Sequence, residues 1–403
     1  MTAAPTGYPT VTVQVGFASN PAVDPSLQVW TDISEYVMGF STQRGRTDEL
    51  QHFDAGRLTV QLDNQDGRFD PTNTSSPYYP NVVPMKMIQV LATWSATQYA
   101  LFTGYVDGWP QDWALNKQER LAVTATDGFK VLGLYYYRND TQPQETISTR
   151  CSTITAAAGI ATIHNASTTV VAGEAIQSYA LAHLQILEET EFGALYMTPD
   201  GFVFFEERHY RANTKTSIVA TFGDGDSGGE LPYERLEPAF DDTQIVNDAV
   251  IGASKATTPL ATSAEYTDAT SVTAYMKRSL ARDLVVADSN EAADMAYALV
   301  QRFKTPAMRF RTLEILPPVQ GTTLWPQALG LLISDLIRVI RRTPGGVTID
   351  QQVHVDSIAH AWDAESGEWR TTFGLCPKAL AFSHWVLDSG SFSQLDSTTI
   401  LNY

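Results

Sequence analysis

Five consecutive residues near the middle of the chain have the composition of a catalytic nucleophile loop. Gly225-Asp226-Ser227-Gly228-Gly229 spells the motif that surrounds the attacking serine in trypsin-like serine proteases. That chemistry needs a histidine base, a buried aspartate and an oxyanion hole beside the serine. The segment therefore raises the hypothesis of a hydrolase that uses Ser227.

The residues that would have to support Ser227 form a weak set. His183, in Leu-Ala-His-Leu, is the nearest approximation to the base, yet its neighbours predict a position in the middle of a helix on an apolar face. No disulfide framework accompanies it, and Gly223–Gly229 is rich in glycine and aspartate. A flexible linker is the favoured interpretation, and a protease is the alternative.

Two acidic stretches suggest a cation site, but neither has the set of ligands that such a site needs. Asp63–Asp70 looks like a calcium loop, but an EF-hand register would place Leu62 at the first ligand position, so a turn between strands is favoured. Gly223-Asp-Gly-Asp offers only two carboxylates. Cys151 and Cys376 are far apart and the seven histidines are scattered, so no metal-ligand spacing is present. We predict buried free thiols rather than a long-range disulfide, no cofactor, and no catalytic, cofactor-binding or metal-binding residues.

Three arginines close together in the sequence form a basic cluster, which we interpret as structural. We expect Arg338, Arg341 and Arg342 to form salt bridges to neighbouring carboxylates, with contact to an acidic partner as the second interpretation. Pro344-Gly345-Gly346 beside them predicts a hairpin turn rather than a phosphate cradle, because no Lys-Ser/Thr pair follows on a helix.

Composition narrows the class of protein. At 403 residues the chain has room for roughly two to four domains. Its net charge of −18 argues against a protein that grips nucleic acid through the phosphates. No run of about 18 apolar residues predicts a membrane span, and we expect no secretory signal in Met-Thr-Ala-Ala-Pro-Thr-Gly.

Alternating hydrophobicity predicts two regions rich in β-strands. Strand candidates in the first are Val11–Phe17, Arg57–Leu62, Met87–Ala92, Tyr99–Val106 and Arg120–Thr126. Those in the second are Thr243–Ile251, Ser271–Lys277, Met308–Leu316, Leu336–Arg341, Gln351–His360 and Trp369–Leu375. A helix over residues 289–304 interrupts the second region, with Asp288 and Glu291 as a capping box and Pro306 at its end.

The region between them predicts a mixture of helices and one hairpin. Helix candidates are Thr149–Ile160 and Glu174–Glu191. The second rests on apolar residues at helical spacing, which are Ile176, Tyr179, Ala180, His183 and Leu187. Residues 194–205 predict a hairpin whose turn is Pro199-Asp200-Gly201.

An internal repeat links the two β-rich regions. Met87-Ile88-Gln89-Val90 matches Leu336-Ile337-Arg338-Val339, and Val-Asp follows sixteen residues later in both, at Val106-Asp107 and Val355-Asp356. Each copy then reaches a tryptophan, Trp109 or Trp362, and a closing strand that opens on Arg120 or Arg370. The shared interval and order favour duplication over coincidence.

The segment from Gly45 to Trp109 resembles a known family. It reads Gly-Arg-Thr-Asp-Glu-Leu, Ala-Gly-Arg-Leu-Thr-Val-Gln-Leu-Asp-Asn-Gln-Asp-Gly-Arg-Phe-Asp-Pro, Ser-Pro-Tyr-Tyr-Pro, Lys-Met-Ile-Gln-Val and Leu-Phe-Thr-Gly-Tyr-Val-Asp-Gly-Trp. These sequence motifs, in this order, resemble those of the N-terminal barrel of the tail-hub (minor tail) proteins of long-tailed phages. Such proteins are similar to the contractile-phage baseplate hub. The helix followed by a Pro-Asp-Gly hairpin is similar to the second domain of such hubs.

The resemblance implies an α+β fold dominated by β-structure, with two similar barrel-like β modules flanking a mixed helix and hairpin domain. We predict domains at 1–128, 129–230 and 231–378, the last with the inserted helix 289–304, and a C-terminal docking tail at 379–403. The implied function is structural. A homotrimer in the virion would close the distal end of the tail tube, adapt six-fold to three-fold symmetry, and open for the tape-measure protein and DNA.

The implied partners are the distal tail protein and tail tube, the tape-measure protein, and tail fibres or receptor-binding proteins. No sequence-specific nucleic acid is implied, and an acidic lumen would let DNA slide past without sticking. The alternatives are a hexameric distal tail or adaptor protein, against which the duplication argues, and a hydrolase, either the protease or a wall-degrading enzyme. Many hubs carry a C-terminal lysin; here the chain reaches Tyr403 soon after Pro377, so we expect no enzyme. A tail-derived bacteriocin or gene-transfer particle stays open.

Overall fold

A computed structural model describes residues 7–111, 120–164, 167, 169–225, 229–253, 262–285 and 289–378. One sheet of thirteen strands forms its main body, and shorter sheets and eight α-helices are attached to it. The predicted α+β fold dominated by β-structure is confirmed.

The first β module supplies one half of the large sheet. Its strands are β1 (Thr10–Val15), β2 (Thr31–Asp32), β3 (Val37–Gly45), β4 (Asp54–Asp63), β5 (Met87–Trp94), β6 (Thr97–Gly108) and β7 (Arg120–Thr126). The five strands predicted for this region are all present. The sequence does not predict β3, because polar residues such as Thr42 and Arg44 occupy its buried face and hide the alternation.

A middle region of helices and short strands follows. Its elements are α1 (Phe129–Leu134), β8 (Tyr136–Gln142), β9 (Glu145–Thr146), α2 (Ile147–Ala157), β10 (Thr162–His164), β11 (Val170–Val171), β12 (Glu174–Tyr179), α3 (Ala180–Glu191), β13 (Ala194–Met197), β14 (Val203–Glu206) and α4 (Tyr210–Asn213). The predicted hairpin is confirmed as β13 and β14, with Gly201 at φ +92° in its turn.

The predicted helix 174–191 is wrong in its first third. Residues Glu174–Tyr179 form β12, which pairs antiparallel with β8. Ile176 is buried between the exposed Ala175 and Gln177, a period of two that suits a strand, while Tyr179 has extended backbone and precedes the helix. The apolar residues that suggested one long helical face therefore belong to two elements.

The second β module carries an insert. In chain order the elements are β15 (Ile218–Gly223), β16 (Arg235–Ala239), β17 (Asp248–Ala253), β18 (Thr262–Thr267), α5 (Ala269–Tyr275), β19 (Ser279–Leu284), α6 (Ser289–Phe303), β20 (Arg309–Ile315), α7 (Pro317–Gln320), α8 (Trp325–Gly330), β21 (Leu336–Arg342), β22 (Thr348–Asp363) and β23 (Trp369–Pro377). Elements β17 to α6 form the insert, which has a small core of its own. The large core runs through both modules and the middle region.

Two expectations for the insert have different outcomes. The predicted helix 289–304 is confirmed as α6, although Asp288 and the Glu291 side chain lie outside the described part. The predicted strand Ser271–Lys277 is wrong: it is largely helix α5, because Asp268 caps a helical turn by accepting a hydrogen bond from the Ser271 N–H.

Among the helices that the structure describes, none has both the length and the apolar character needed to cross a membrane.

Candidate assembly site

The serine-protease hypothesis depends on Ser227 and His183. Ser227 lies outside the described residues, and His183 is buried in α3, with Nε2 3.6 Å from Glu174 Oε1. Burial, and then the charge of Arg150, lowers the pKa of His183 to about 4. His183 is therefore a neutral core histidine near neutral pH, as its position on an apolar helix face predicts.

The carboxylates of Asp63–Asp70 are used within their own turns. Asp66 pairs with Arg68, while Asp63 and Asp70 each accept a hydrogen bond from the backbone N–H two residues on. The turn interpretation is confirmed. Within the described ranges, no group of three or more His, Cys, Asp or Glu side chains is arranged to hold a metal ion.

The basic cluster also has the predicted structural role. Arg338 pairs with Asp350, Arg341 with Asp224, and Arg342 with both Asp224 and Glu230. The salt-bridge interpretation is confirmed, and contact with an acidic partner stays a prediction. Cys151 and Cys376 are free and buried, and burial raises the pKa of the Cys151 thiol to about 12.

The repeat seen in the sequence is present in the register of the strands. Met87 pairs with Tyr105, and Leu336 pairs with His354, each eighteen residues further on. In the next three pairs this separation falls to sixteen, fourteen and twelve residues in both hairpins, so the two matched segments occupy the same positions of two β-hairpins. We call residues at matching positions counterparts; the predicted similarity of the two β modules is confirmed, and their duplication stays a prediction.

The match extends to the whole order of strands. The first module is ordered β3-β4-β7-β6-β5-β1, and the second is ordered β16-β20-β23-β22-β21-β15, with the corresponding strands in the same chain order. The last strands differ, because β1 is antiparallel to β5 whereas β15 is parallel to β21. A further pair of counterparts was available in the sequence: Thr59-Val60-Gln61-Leu62 in β4 and Thr312-Leu313-Glu314-Ile315 in β20.

Both copies of Val-Asp lie at a β-bulge. Val106 pairs with Ala125 and Gly108 with Thr124, which leaves Asp107 unpaired; Val355 pairs with Leu375 and Ser357 with Gly374, which leaves Asp356 unpaired. The two tryptophans that the sequence comparison matched are not counterparts. Trp109 follows its bulge by two residues and corresponds to Ile358, whereas Trp362 follows by six.

The two bulge aspartates have different surroundings. Asp107 is 37% exposed and pairs with Lys130, whereas Asp356 is buried between two arginines. Arg46 Nε lies 2.9 Å from Asp356 Oδ2, and Arg211 Nη1 lies 2.6 Å from Oδ1. Burial raises the pKa of Asp356, but Arg211 and Arg46 outweigh it and hold the pKa well below its usual range.

This ion cluster joins three parts of the fold. Arg46 follows β3, Asp356 lies in β22 and Arg211 in α4 of the middle region. Arg211 also pairs with Glu206, whose second oxygen accepts the Tyr196 hydroxyl at 2.8 Å. Of these residues, the repeat singles out Asp356 alone. The two arginines carry no local signal, because they come from segments far from Asp356 in the chain.

The same junction pairs the backbones of the two modules. Strand β3 is hydrogen-bonded to the part of β22 beyond the bulge, from Ser357–Gly45 to Asp363–Gly39. Gly45 has φ +111°, and a Cβ there would lie 2.2 Å from the Asp356 carbonyl oxygen, so this contact requires glycine. Phe40 of β3 packs edge-on against Trp369 at 5.5 Å and against Trp362 at 5.6 Å.

Two solved structures share this architecture. The tail protein from Neisseria meningitidis MC58 superposes with a TM-score of 0.59 at 12% identity, over 91% of this chain and 96% of that one. The 43 kDa tail protein of prophage MuSo2 from Shewanella oneidensis superposes with a TM-score of 0.56 at 15% identity, over 92% and 97%. The sequence matches no protein-family profile and no curated protein. At these identities the likeness establishes a shared fold, which agrees with the resemblance carried by residues 45–109.

Proposed function

We propose that this chain is a structural component of a phage tail, a hub in the virion at the distal end of the tail tube. The observation that carries the proposal is a fold shared with two tail proteins over nine-tenths of the chain. The charged clusters of the described residues, which tie elements of the fold together, are consistent with such a structural role. We therefore propose no enzymatic activity, no cofactor and no catalytic or metal-binding residues.

The duplicated module supports a homotrimer. Three chains with two matching modules each would present six similar units in a ring, which fits a six-fold tube while the assembly itself has three-fold symmetry. A hexamer of this chain, the arrangement of an adaptor or distal tail protein, would present twelve units and leave the duplication without a purpose.

The other parts of the chain have proposed partners. The distal tail protein and tube would meet the ring on one side, and fibres or receptor-binding proteins on the other. The tape-measure protein and DNA would pass through the opened ring without sequence-specific contact. We keep the proposed division at 1–128, 129–230 and 231–378 and a docking tail at 379–403; the pairing of β15 with β21 favours moving the second boundary to about residue 217.

Immunogold electron microscopy of purified particles, with antibody to this chain, tests the proposal. Gold at the distal tips of tails is expected. Label absent from intact and disrupted particles alike would contradict it. Ser227→Ala separates the hydrolase alternative: infectivity unchanged by this substitution removes a protease, and a loss of infectivity with normal tails would favour one.

A further inference from the structure

A cavity of about 410 Å³ lies where the first β module meets the middle region. Met87 and Tyr105, which pair across strands β5 and β6, form part of its wall. Asp24, in the loop before β2, and Ser152 and Ala156 of α2 also line it. This volume suffices for a small molecule or for one long side chain of another protein.

The lining of the cavity is electronegative. The carbonyl end of a helix carries partial negative charge, and Thr155, Ala156 and Gly159 bring the end of α2 to the cavity. Asp24 adds a carboxylate that accepts the Ser26 N–H at 2.9 Å and forms no ion pair within the described part of the chain. The lining residues, all of them described, include no arginine, lysine or histidine. A cavity with this lining favours a cation.

Tyr105 leaves a hydrogen-bonding group unused at the cavity. The residue is only 7% exposed, and its hydroxyl has no hydrogen-bond partner among the residues that the structure describes. Burial, and then the charge of Asp24, raise the pKa of Tyr105 to about 12, so the hydroxyl stays neutral. A buried hydroxyl without a partner is uncommon, because its desolvation is not compensated. The Tyr105 oxygen can accept an N–H from a ligand, and its ring can face a positive charge.

The second module places a cation near the corresponding position. Tyr105 and His354 are counterparts, since each pairs with the first residue of its matched segment. Arg211 reaches from α4 to Asp356, two residues beyond His354, and burial and then the Arg211 charge lower the pKa of His354 to about 4. In the first module Lys130 binds the bulge aspartate and is not among the residues that line the cavity. The first module therefore has room beside Tyr105 for a cation from another molecule.

Exposed apolar side chains next to the cavity favour a protein as the source of that cation. Leu27, two residues after Pro25 of the lining, is 71% exposed, and Ile163, next to Thr162 of the lining, is 47% exposed. Protein interfaces combine apolar contacts with arginine anchors that fill pockets. A small free amine would make little use of Leu27 and Ile163.

We infer that this cavity binds an arginine or lysine side chain of a partner protein. The Asp24 carboxylate, the carbonyl end of α2 and Tyr105 bind the charged group, and Leu27 and Ile163 contact the partner surface around it. The site is independent of the proposed role in a tail, because it requires only a partner with an exposed cation.

Methyl NMR of the purified full chain tests the site. Met87 lines the cavity, so its signal reports binding in a chain that is isotope-labelled at the methionine methyl groups. Met87→Leu assigns that signal, and leucine is the residue type of its counterpart Leu336. The probe is the peptide acetyl-Gly-Val-Arg-Val-Gly-amide, and the control peptide has citrulline in place of arginine, which exchanges the charged guanidinium for a neutral urea. We expect the arginine peptide to shift the Met87 signal and the citrulline peptide to bind at least about tenfold more weakly.

Variants of the lining supply a second test with a matched control. Asp24→Asn removes the charge but keeps an oxygen for the Ser26 N–H, and it should weaken binding of the arginine peptide about tenfold or more. Asp54→Asn changes an exposed aspartate of β4 and should leave binding unchanged. Tyr105→Phe should weaken binding about twofold to tenfold without lowering stability, since the lost hydroxyl has no partner in the described part of the chain.

The outcomes decide both the site and the source of the cation. Equal affinity for the two peptides, equal effects of Asp24→Asn and Asp54→Asn, or a Met87 signal that neither peptide shifts would overturn the site. Agmatine, a free amine with the same guanidinium group, separates the sources. Weaker binding of agmatine than of the arginine peptide supports a protein partner, whereas equal or tighter binding of agmatine would overturn the protein partner and assign the cavity to a free amine.

Discussion

Asp107 and Asp356 occupy the same position of a repeated bulge, yet only Asp356 is buried against arginines. Removing the charge at Asp356 would leave the buried Arg211 paired with Glu206, and the buried Arg46 hydrogen-bonded to the carbonyl oxygen of Gln51. We expect Asp356→Asn to lower the free energy of unfolding by about 3–5 kcal/mol, the usual effect of breaking a buried ion pair. Urea denaturation followed by tryptophan fluorescence measures the change.

The matched control is Asp107→Asn at the other bulge. Its pair with Lys130 is partly exposed, so a loss of about 0–1 kcal/mol is expected. Equal effects of the two substitutions would contradict the assignment of the Asp356 cluster as the buried tie between the modules and the middle region.

We expect the free energy of unfolding to depend on pH through His52, which contacts two carboxylates of α3. Its Nδ1 lies 2.8 Å from Glu188 and its Nε2 3.3 Å from Glu189, and these two carboxylates raise the pKa of His52 to about 9. A raised histidine pKa stabilises the fold fully below about pH 6.5, and this stabilisation is lost as the pH rises through 9. Since the side chain is 36% exposed, we expect a contribution of about 1 kcal/mol.

Denaturation of wild type and His52→Gln at pH 6 and pH 10 isolates this contribution. The variant should be less stable than wild type at pH 6 and similar to it at pH 10. A difference that is the same at both pH values would show that the charge of His52 is not what stabilises the contact.

At the scale of elements, the junction between β3 and β22 depends on a close approach of two backbones. Gly45→Ala combines a positive φ with a Cβ placed 2.2 Å from a carbonyl oxygen, so we expect a loss of roughly 2 kcal/mol or more in the free energy of unfolding. Gly108→Ala, at the bulge of the first module, has open space around its Cβ and should change the isolated chain little. If the Gly45→Ala variant is as stable as the Gly108→Ala variant, stability does not depend on the close approach of β3 and β22.

The elements also show how far sequence reasoning reaches. Strands with one covered face, such as Arg57–Leu62, and the amphipathic helix 289–304 follow from periodicity because one partner determines each pattern. Strand β3 does not, because its buried face carries the polar residues Thr42 and Arg44, so its apolar residues do not alternate although its burial does. The spacing of Ile176 and Tyr179 predicts that residues 174–179 belong to the helix that follows, but pairing with β8 overrides this local pattern.

The candidate site was predictable in part for the same reason. The repeat identifies Asp356, Leu336 and their counterparts, because repeated modules keep short segments of similar sequence. It could not identify Arg46, Arg211 or Phe40, whose roles come from the way the two modules meet. The repeat also could not show that Asp356 is buried while Asp107 is partly exposed. That difference depends on α4 of the middle region, whose Arg211 pairs with Asp356.

At the scale of the whole molecule, the two matching modules joined by one sheet are the central feature. If three chains use their six modules to match a six-fold tube, the assembled complex contains three copies of the chain. Isolated chains can remain monomeric until assembly, so the count has to be made on material taken from tails.

The most direct test is native mass spectrometry of the complex that contains this chain, released from purified tails after mild cross-linking. We expect three copies of the chain in each complex. Six copies would contradict the account, because twelve modules could not occupy six equivalent positions.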